Sequence, residues 1–204
     1  MMDTFYAPAA RTAEKLLVEQ VEYVNNNAVM DGLLKTVGGM VAILNRHRQI
    51  VSVNDTLLKV LDMDDQEDAL GLRPGEALQC VHAKKSPNGC GTTEFCSTCG
   101  TAIAIVLSME LSEPVDSICA LKSVKNGVDV DLALRVKSTP ISLEDQSFLL
   151  LFLQDITRDQ QRAALERTFF HDINNMLFGL VGASELLGEG HNEDGLIELI
   201  QRSS

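Results

Sequence analysis

The sequence predicts an α+β fold: an antiparallel five-stranded sheet with flanking helices, preceded by a helix and followed by a long helical tail. Three observations carry this. Two short apolar runs separated by a polar turn lie near residue 45. Three longer runs follow residue 115, the second with strict alternation. After residue 157 the apolar spacing changes to threes and fours, which is the period of a helix. Two strands, short helices and then three strands is an order that builds an antiparallel sheet with its helices segregated.

The elements follow in order. Residues 9–37 are helical in pattern, with Leu17, Val21 and Val24 on one stripe and Met30, Leu33, Leu34 and Val37 on another. Asn25, Asn26 and Asn27 fall between them, three weak helix formers in a row that predict a break or kink. Segment 1–37 reads either as a dimerising helix ahead of the sheet or as a helix packed on its own domain. Gly38-Gly39 ends it. Residues 40–45 and 50–54 form a hairpin around the polar turn Arg46-His47-Arg48-Gln49, where His47 is expected at the surface. Asp55-Thr56 caps a helix over 57–61. Residues 115–123 form a strand, Lys125-Asn126-Gly127 a turn, and 128–137 a strand with Val128, Val130, Leu132, Leu134 and Val136 on one face. Residues 147–154 are the most apolar run and the expected centre of the sheet.

Composition bounds the function. The 204 residues suffice for one domain and a helical appendage. Apolar content of 45% permits a core, and with 4% aromatics and no Trp that core is aliphatic. A formal charge of −12 argues against nucleic acid or an anionic membrane as partner. No apolar run reaches the roughly 20 residues of a membrane span, and no signal peptide opens the chain. These features imply a cytoplasmic protein.

The five cysteines then point to metal or redox chemistry rather than structural disulfides. Cys80, Cys90, Cys96 and Cys99 form an insertion, residues 80–99, ahead of a helix over 101–111. Cys96 and Cys99 are a Cys-x-x-Cys unit, whose two thiolates can reach one ion. With Cys80 and Cys90 the ligand count reaches four, and thiolates suit zinc or an iron–sulfur cluster. Three readings stand: a structural zinc, a redox-active cluster or thiol pair, and free cysteines. Cys96 is expected at a helix N-terminus, where a thiolate is stabilised. His82 is an alternative to Cys80 as ligand. Cys119, alternating within a strand, reads as a small core residue.

In the tail, Phe169, Ile173, Met176, Leu180, Ala183 and Leu187 form a seam at alternating spacings of four and three, with Phe170, Leu177 and Val181 beside it. That is the face of a helical bundle. His171 points away from the seam, and Asn175 lies one turn later on the same side. An exposed imidazole followed at once by an acid, Asp172, is a sensible nucleophile. A polar connection over 188–194, including His191, would reverse the chain, and 195–202 would begin a second helix.

His171-Asp172-Ile173-Asn174-Asn175 resembles the phosphoacceptor box of two-component sensor histidine kinases. The resemblance implies that His171 is phosphorylated, that Asp172 assists the transfer as acid or base, and that Asn175 positions water in dephosphorylation. Upstream, the hairpin, the Asp55-Thr56-Leu57-Leu58 helix and the closing Asp155-Ile156-Thr157 resemble a PAS sensor domain. On that reading 38–157 is the sensor and 158–204 a signalling helix leading into a partial dimerisation hairpin. The implied protein is a fragment of a homodimeric kinase that serves a response regulator receiver domain. ATP would bind only through a catalytic domain, and the boxes of such a domain do not occur in these residues, so the chain is expected to continue past Ser204. A small-molecule ligand in the PAS interior is left open. A haem would need an axial histidine, and His82 alone is near a helix; the flavin-adduct motif Asn-Cys-Arg-Phe-Leu is absent. The competing function is a non-catalytic metal- or redox-sensing PAS dimer that regulates a partner by contact.

Overall fold

The structure, a computed structural model, describes residues 4–125, 127–144 and 146–188, apart from the side chains of Ala183 and 185–188. The expected reversal, His191 and the second helix over 195–202 lie outside the described residues, as does Asn126 of the β-turn. The elements are α1 (Glu14–Asn25), α2 (Ala28–Thr36), β1 (Met40–Leu44), β2 (Ile50–Val53), α3 (Asp55–Leu61), α4 (Pro74–Ala77), α5 (Gly100–Leu111), β3 (Val115–Lys125), β4 (Val128–Leu143), β5 (Gln146–Asp155) and α6 (Thr157–Gly188). The five strands form one antiparallel sheet in the order β2-β1-β5-β4-β3. This is the α+β architecture the strand order of the sequence predicts, and β5 is at its centre as its apolar run requires.

The sheet is covered on both faces, which explains why β1 and β2 are buried at every position. Alternation along the strands sends Ala42 and Leu44 to one face and Ile43 to the other. The inner face, with Leu134, Val136, Leu149, Leu151 and Leu153, packs against α3, α4 and α5 through Leu57, Leu61, Ala77, Ala104 and Ile105. The outer face, Ile43, Val51 and Phe148, packs on Val24 and Met30 from α1 and α2. The break between those helices falls in the asparagine run. Asn26 closes the first and Asn27 caps the second, the Asn27 Oδ1 accepting from the Val29 and Met30 N–H groups at 3.0 and 3.2 Å.

β4 is longer than its alternating pattern suggests, because it continues past Ser138, its last residue paired with β3, to pair with β5 alone. Pro140, which has no N–H to give, falls in this edge portion, where a missing donor is tolerated. Burial along the alternating face fades toward the β3–β4 tip. Val136 and Leu134 are buried, while Val128 is 63% exposed.

The Arg46–Gln49 connection departs from the expected surface turn. Arg48 and Gln49 are buried and His47 is half-buried, because residues before α1 lie over them. Thr12 N–H donates to Gln49 Oε1 at 2.7 Å, and Thr12 Oγ1 meets His47 Nδ1 at 2.8 Å.

The chain divides after Thr157, so α6 is described by itself. It is one helix of 32 residues. Its seam is open along the single chain: Phe169, Phe170, Met176, Leu177, Leu180 and Val181 are each more than half exposed. Among the described residues no helix is long and apolar enough to cross a membrane.

Asn54 ties β1, β2 and α3 together. Its Oδ1 accepts from Val41 N–H at 3.0 Å and caps α3 through Leu57 N–H at 3.1 Å, and its Nδ2 donates to Gly39 O at 2.8 Å. Asn54→Ala is expected to cost roughly 2 kcal/mol, a lost cap plus an orphaned buried N–H. A urea unfolding curve with an unchanged midpoint would contradict this.

Candidate functional site

Two groups of residues carry chemistry. The first is on α6. The His171 side chain is 73% exposed, with Nδ1 3.4 Å from Asp172 Oδ1 and 3.2 Å from Asn175 Nδ2. Nε2 has no hydrogen-bond partner among the described residues. The helix explains the grouping, since positions i and i+4 are neighbours on its surface and Asp172 is adjacent in sequence. The two contacts ask for opposite tautomers. A carboxylate accepts from an Nδ1–H, whereas an amide N–H donates to an Nδ1 lone pair. Turning the Asn175 amide over so that its oxygen faces the ring satisfies both with one tautomer, protonated at Nδ1. That tautomer leaves the Nε2 lone pair in solvent.

Upstream of α6, Asp155-Ile156-Thr157 closes the sheet. Asp155 Oδ1 accepts from Thr157 N–H at 2.8 Å and from its hydroxyl at 2.6 Å. Thr157 Oγ1 in turn accepts from Ala133 N–H at 3.0 Å, and Ile156 N–H donates to Ala133 O at 2.8 Å. The triplet therefore starts a helix and pins its first residue to β4.

The second group is the cysteine insertion, and its organiser was not legible in the sequence. Arg73, just before α4, is wholly buried. It donates to the carbonyls of Ala9 and Ala10 in the N-terminal strap at 3.1 and 2.8 Å, of Asn88 and Cys90 in the insertion at 3.0 and 3.1 Å, and of His47 at 3.2 Å. Among the described residues no carboxylate bonds its guanidinium. Burial and the nearby Arg48 and Arg11 lower its pKa to about 10, so it is still charged at neutral pH. Glu76, from α4, is the acid of this neighbourhood. It pairs with Arg11 and accepts from the backbone N–H groups of Arg73 and Cys90 at 2.9 and 3.1 Å. Arg48 is also buried, with its side chain on Pro8 O at 2.8 Å. The strap then runs beside the insertion, Ala7 N–H donating to Gly91 O at 2.9 Å.

Cys80 and Cys90 pack around Gly75, where a Cβ would stand 2.7 Å from Cys90 Sγ. Burial pushes the Cys90 thiol up to about 12 and raises that of Cys80. Cys96 is not at a helix N-terminus as expected. It sits in a 3₁₀ turn, Glu94–Ser97, with Thr93 Oγ1 at 3.2 Å. Cys99 is the residue that opens α5. Among the described residues no three His, Cys, Asp or Glu side chains are placed to hold a metal ion. The arrangement does not present Cys80, Cys90, Cys96 and Cys99 as a ligand set, and His82 stacks on Phe95 instead, ring centroids 4.1 Å apart.

The sulfur contact that does form joins Cys99 to Cys119, at 3.6 Å. Cys119 is buried within β3, facing the first residues of α5. Its hydrogen bond with Cys99 and the N–H groups of Gly100 and Thr101 lower its pKa, while the same bond and burial raise that of Cys99. Thr101 Oγ1, buried and without a conventional hydrogen bond, adds to this polar surround. The expectation that Cys119 is only a small core residue missed this. Alternation showed that it faces inward, but a partner twenty positions away is a product of packing.

A cavity lined by Ala42, Leu57, Leu61, Leu78, Leu151 and Leu153 measures about 10 Å³, which is the room of a single water at most. A wider groove of about 670 Å³ runs between α2 and α3 and is lined by Asp31, Lys35, Asp55, Lys59, Asp64 and Asp65 among others.

A scan against protein-family models finds no match, and a search of curated proteins finds none. A search of solved structures finds PAS domains. One, a PAS domain from a two-component sensor histidine kinase, is 12% identical and aligns over 70% of this chain and 99% of its own, with a TM-score of 0.38. The PAS domain of nitrogen regulation protein NR(II) from Vibrio parahaemolyticus is 12% identical over 64% of this chain and 100% of its own, at 0.44. The PAS domain of Bordetella pertussis BvgS is 15% identical over 72% and 94%, at 0.41. The class itself is set by the chain's own topology: a PAS-like α+β fold, with strands ordered 2-1-5-4-3 and short helices between β2 and β3.

Two outcomes follow from the buried groups. Arg73→Met leaves five carbonyls without their donor and is expected to destabilise the fold by roughly 3 kcal/mol, with new protease cleavage within residues 4–12. Wild-type resistance there would disprove the strap's dependence on Arg73. His47 is the pH-sensitive one. Burial, with Arg46, Arg73 and Arg48 nearby, lowers its pKa below the ordinary 6.5. As pH falls the unfolded chain takes the proton first, so stability is full above 6.5 and declines below it. Thermal melts of His47→Gln should show a shallower decline between pH 7 and pH 5 than the parent does.

Proposed function

We infer that this chain is the sensory and phosphoacceptor portion of a two-component histidine kinase. The observation that carries the reading is the geometry at His171: an exposed ring, a carboxylate and an amide at Nδ1, and a free Nε2. In this reading Nε2 attacks the γ-phosphorus of ATP, the bond to the bridging oxygen breaks, and ADP leaves. Asp172 holds the proton at Nδ1 and offsets the charge the ring gains. Asn175 stands one turn away, where it orients water for hydrolysis of the phosphohistidine. An aspartate on a response regulator receiver domain then takes the phosphoryl group. ATP is brought by a catalytic domain supplied from outside these residues.

The exposed seam supports a homodimer. Six large apolar side chains in a row on one helix are the pattern that a second copy buries in a helical bundle. The pinned start of α6 at Ala133 supports a role for Asp155-Ile156-Thr157 as the relay between sheet and tail. A zinc ion or iron–sulfur cluster at Cys80, Cys90, Cys96 and Cys99 is the competing reading, and metal analysis of protein purified without chelator tests it.

The test supplies the chain with the cognate catalytic domain and labelled ATP. His171→Gln is expected to abolish acid-labile labelling. Asn175→Ala is expected to label normally and to lose phosphate by hydrolysis at least tenfold more slowly. Full labelling of His171→Gln would remove the assignment.

A further inference from the structure

We propose that Cys99 and Cys119 are a reversible dithiol–disulfide site, oxidised by hydroperoxides, that fastens the start of α5 to the middle of β3. The inference does not depend on His171.

Four features place it there. The two sulfurs are 3.6 Å apart, so closing to the bond length of about 2.05 Å needs a shift of the two side chains rather than a rearrangement of the fold. They are held in register from both sides. Gly100 has no Cβ, and one added there would stand 2.2 Å from the Ile118 carbonyl oxygen, so the first turn of α5 lies directly on β3. Farther along, Ser108 Oγ on α5 bonds Ser138 Oγ on β4 at 2.7 Å, which fixes the helix on the sheet. Cys99 is only partly buried, which gives a small oxidant a way to the pair, while Cys119 is buried and protected from over-oxidation. Finally, the other cysteines lack such a partner: Cys80 and Cys90 pack on Gly75, and Cys96 meets the Thr93 hydroxyl.

The chemistry balances with one peroxide per pair. One sulfur attacks a peroxide oxygen, the O–O bond breaks, and water leaves with the thiol proton. The sulfenic acid formed is then attacked by the second sulfur. The S–S bond forms, the S–O bond breaks, and a second water leaves with the second proton. The pair gives up two electrons and two protons, and the peroxide takes both. A small thiol or a dithiol reductase reverses it by exchange.

The bond would act on the sheet rather than at the surface. β3 pairs with β4, and β4 carries Ala133, the residue to which Thr157 is pinned. An oxidised pair therefore stiffens the path from α5 to the end of the sheet.

The full chain, freshly reduced, is treated with one equivalent of hydrogen peroxide, then denatured and its thiols counted. The expected result is a fall from five thiols to three, a mass loss of about 2 Da for two hydrogens, and a cross-linked peptide containing Cys99 and Cys119. Dithiothreitol restores all five. Cys80→Ser should still form the link. Cys119→Ala and Cys99→Ser should not, and the second change, at the less buried of the two positions, guards against loss of the fold in the first. Retention of all five thiols, a Cys96–Cys99 link, or a bound metal that protects the thiols would each overturn the proposal. His171→Gln should cross-link as the parent does, so this result and the phosphotransfer result fail separately.

Discussion

A single buried guanidinium holds together the parts of this domain that lie outside the sheet. Among the described residues no carboxylate bonds the Arg73 guanidinium, which is charged all the same, so its donors are satisfied by carbonyl dipoles. They come from three places: the N-terminal strap, the β1–β2 connection and the cysteine insertion. Each lies outside the strands and long helices, and the connection and the insertion are held by local turns. Arg73 joins all three, and the strap and insertion also bond each other through Ala7 and Gly91. Glu76 supplies the compensating charge one turn away, bonded to Arg11 and to the backbone of Cys90.

That arrangement decides how the cysteines group. The insertion is folded back on α4, so Cys80 and Cys90 are spent on packing against Gly75. Cys99, released from the turn that holds Cys96, opens α5 over Cys119. A Cys-x-x-Cys unit is thus split between two environments. Its first sulfur faces a threonine hydroxyl and its second faces a strand. The helix N-terminus that the sequence places at Cys96 serves Cys119 instead, through the N–H groups of Gly100 and Thr101.

The two functional groups differ in how they are built. At His171 the geometry is local. Helix periodicity alone brings Asp172 and Asn175 to Nδ1, and no tertiary contact is needed. At Cys99 and Cys119 the geometry is entirely tertiary, and it exists only because α5 lies against β3. The first lies on an exposed helix face. The second is suited to a change inside the domain. The closing triplet at residues 155–157 is the covalent link between them, tied to β4 at Ala133 and continuing as α6.

Local patterns were legible in the sequence and long-range ones were not. The apolar run at 147–154 foretold a central strand, because only a strand with neighbours on both sides needs so little polar surface. The asparagine run foretold the α1–α2 break, because Asn caps a helix better than it continues one. The seam and the off-seam histidine follow from a 3.6-residue period. Tertiary structure alone decided that His47, Arg48 and Gln49 are covered, that Arg73 is the anchor of the insertion, and that Cys119 has a partner. The physical reason is range. Periodicity and capping depend on neighbours within a turn or two, whereas a buried charge and a sulfur pair depend on which distant segments the closed core brings within a bond's reach.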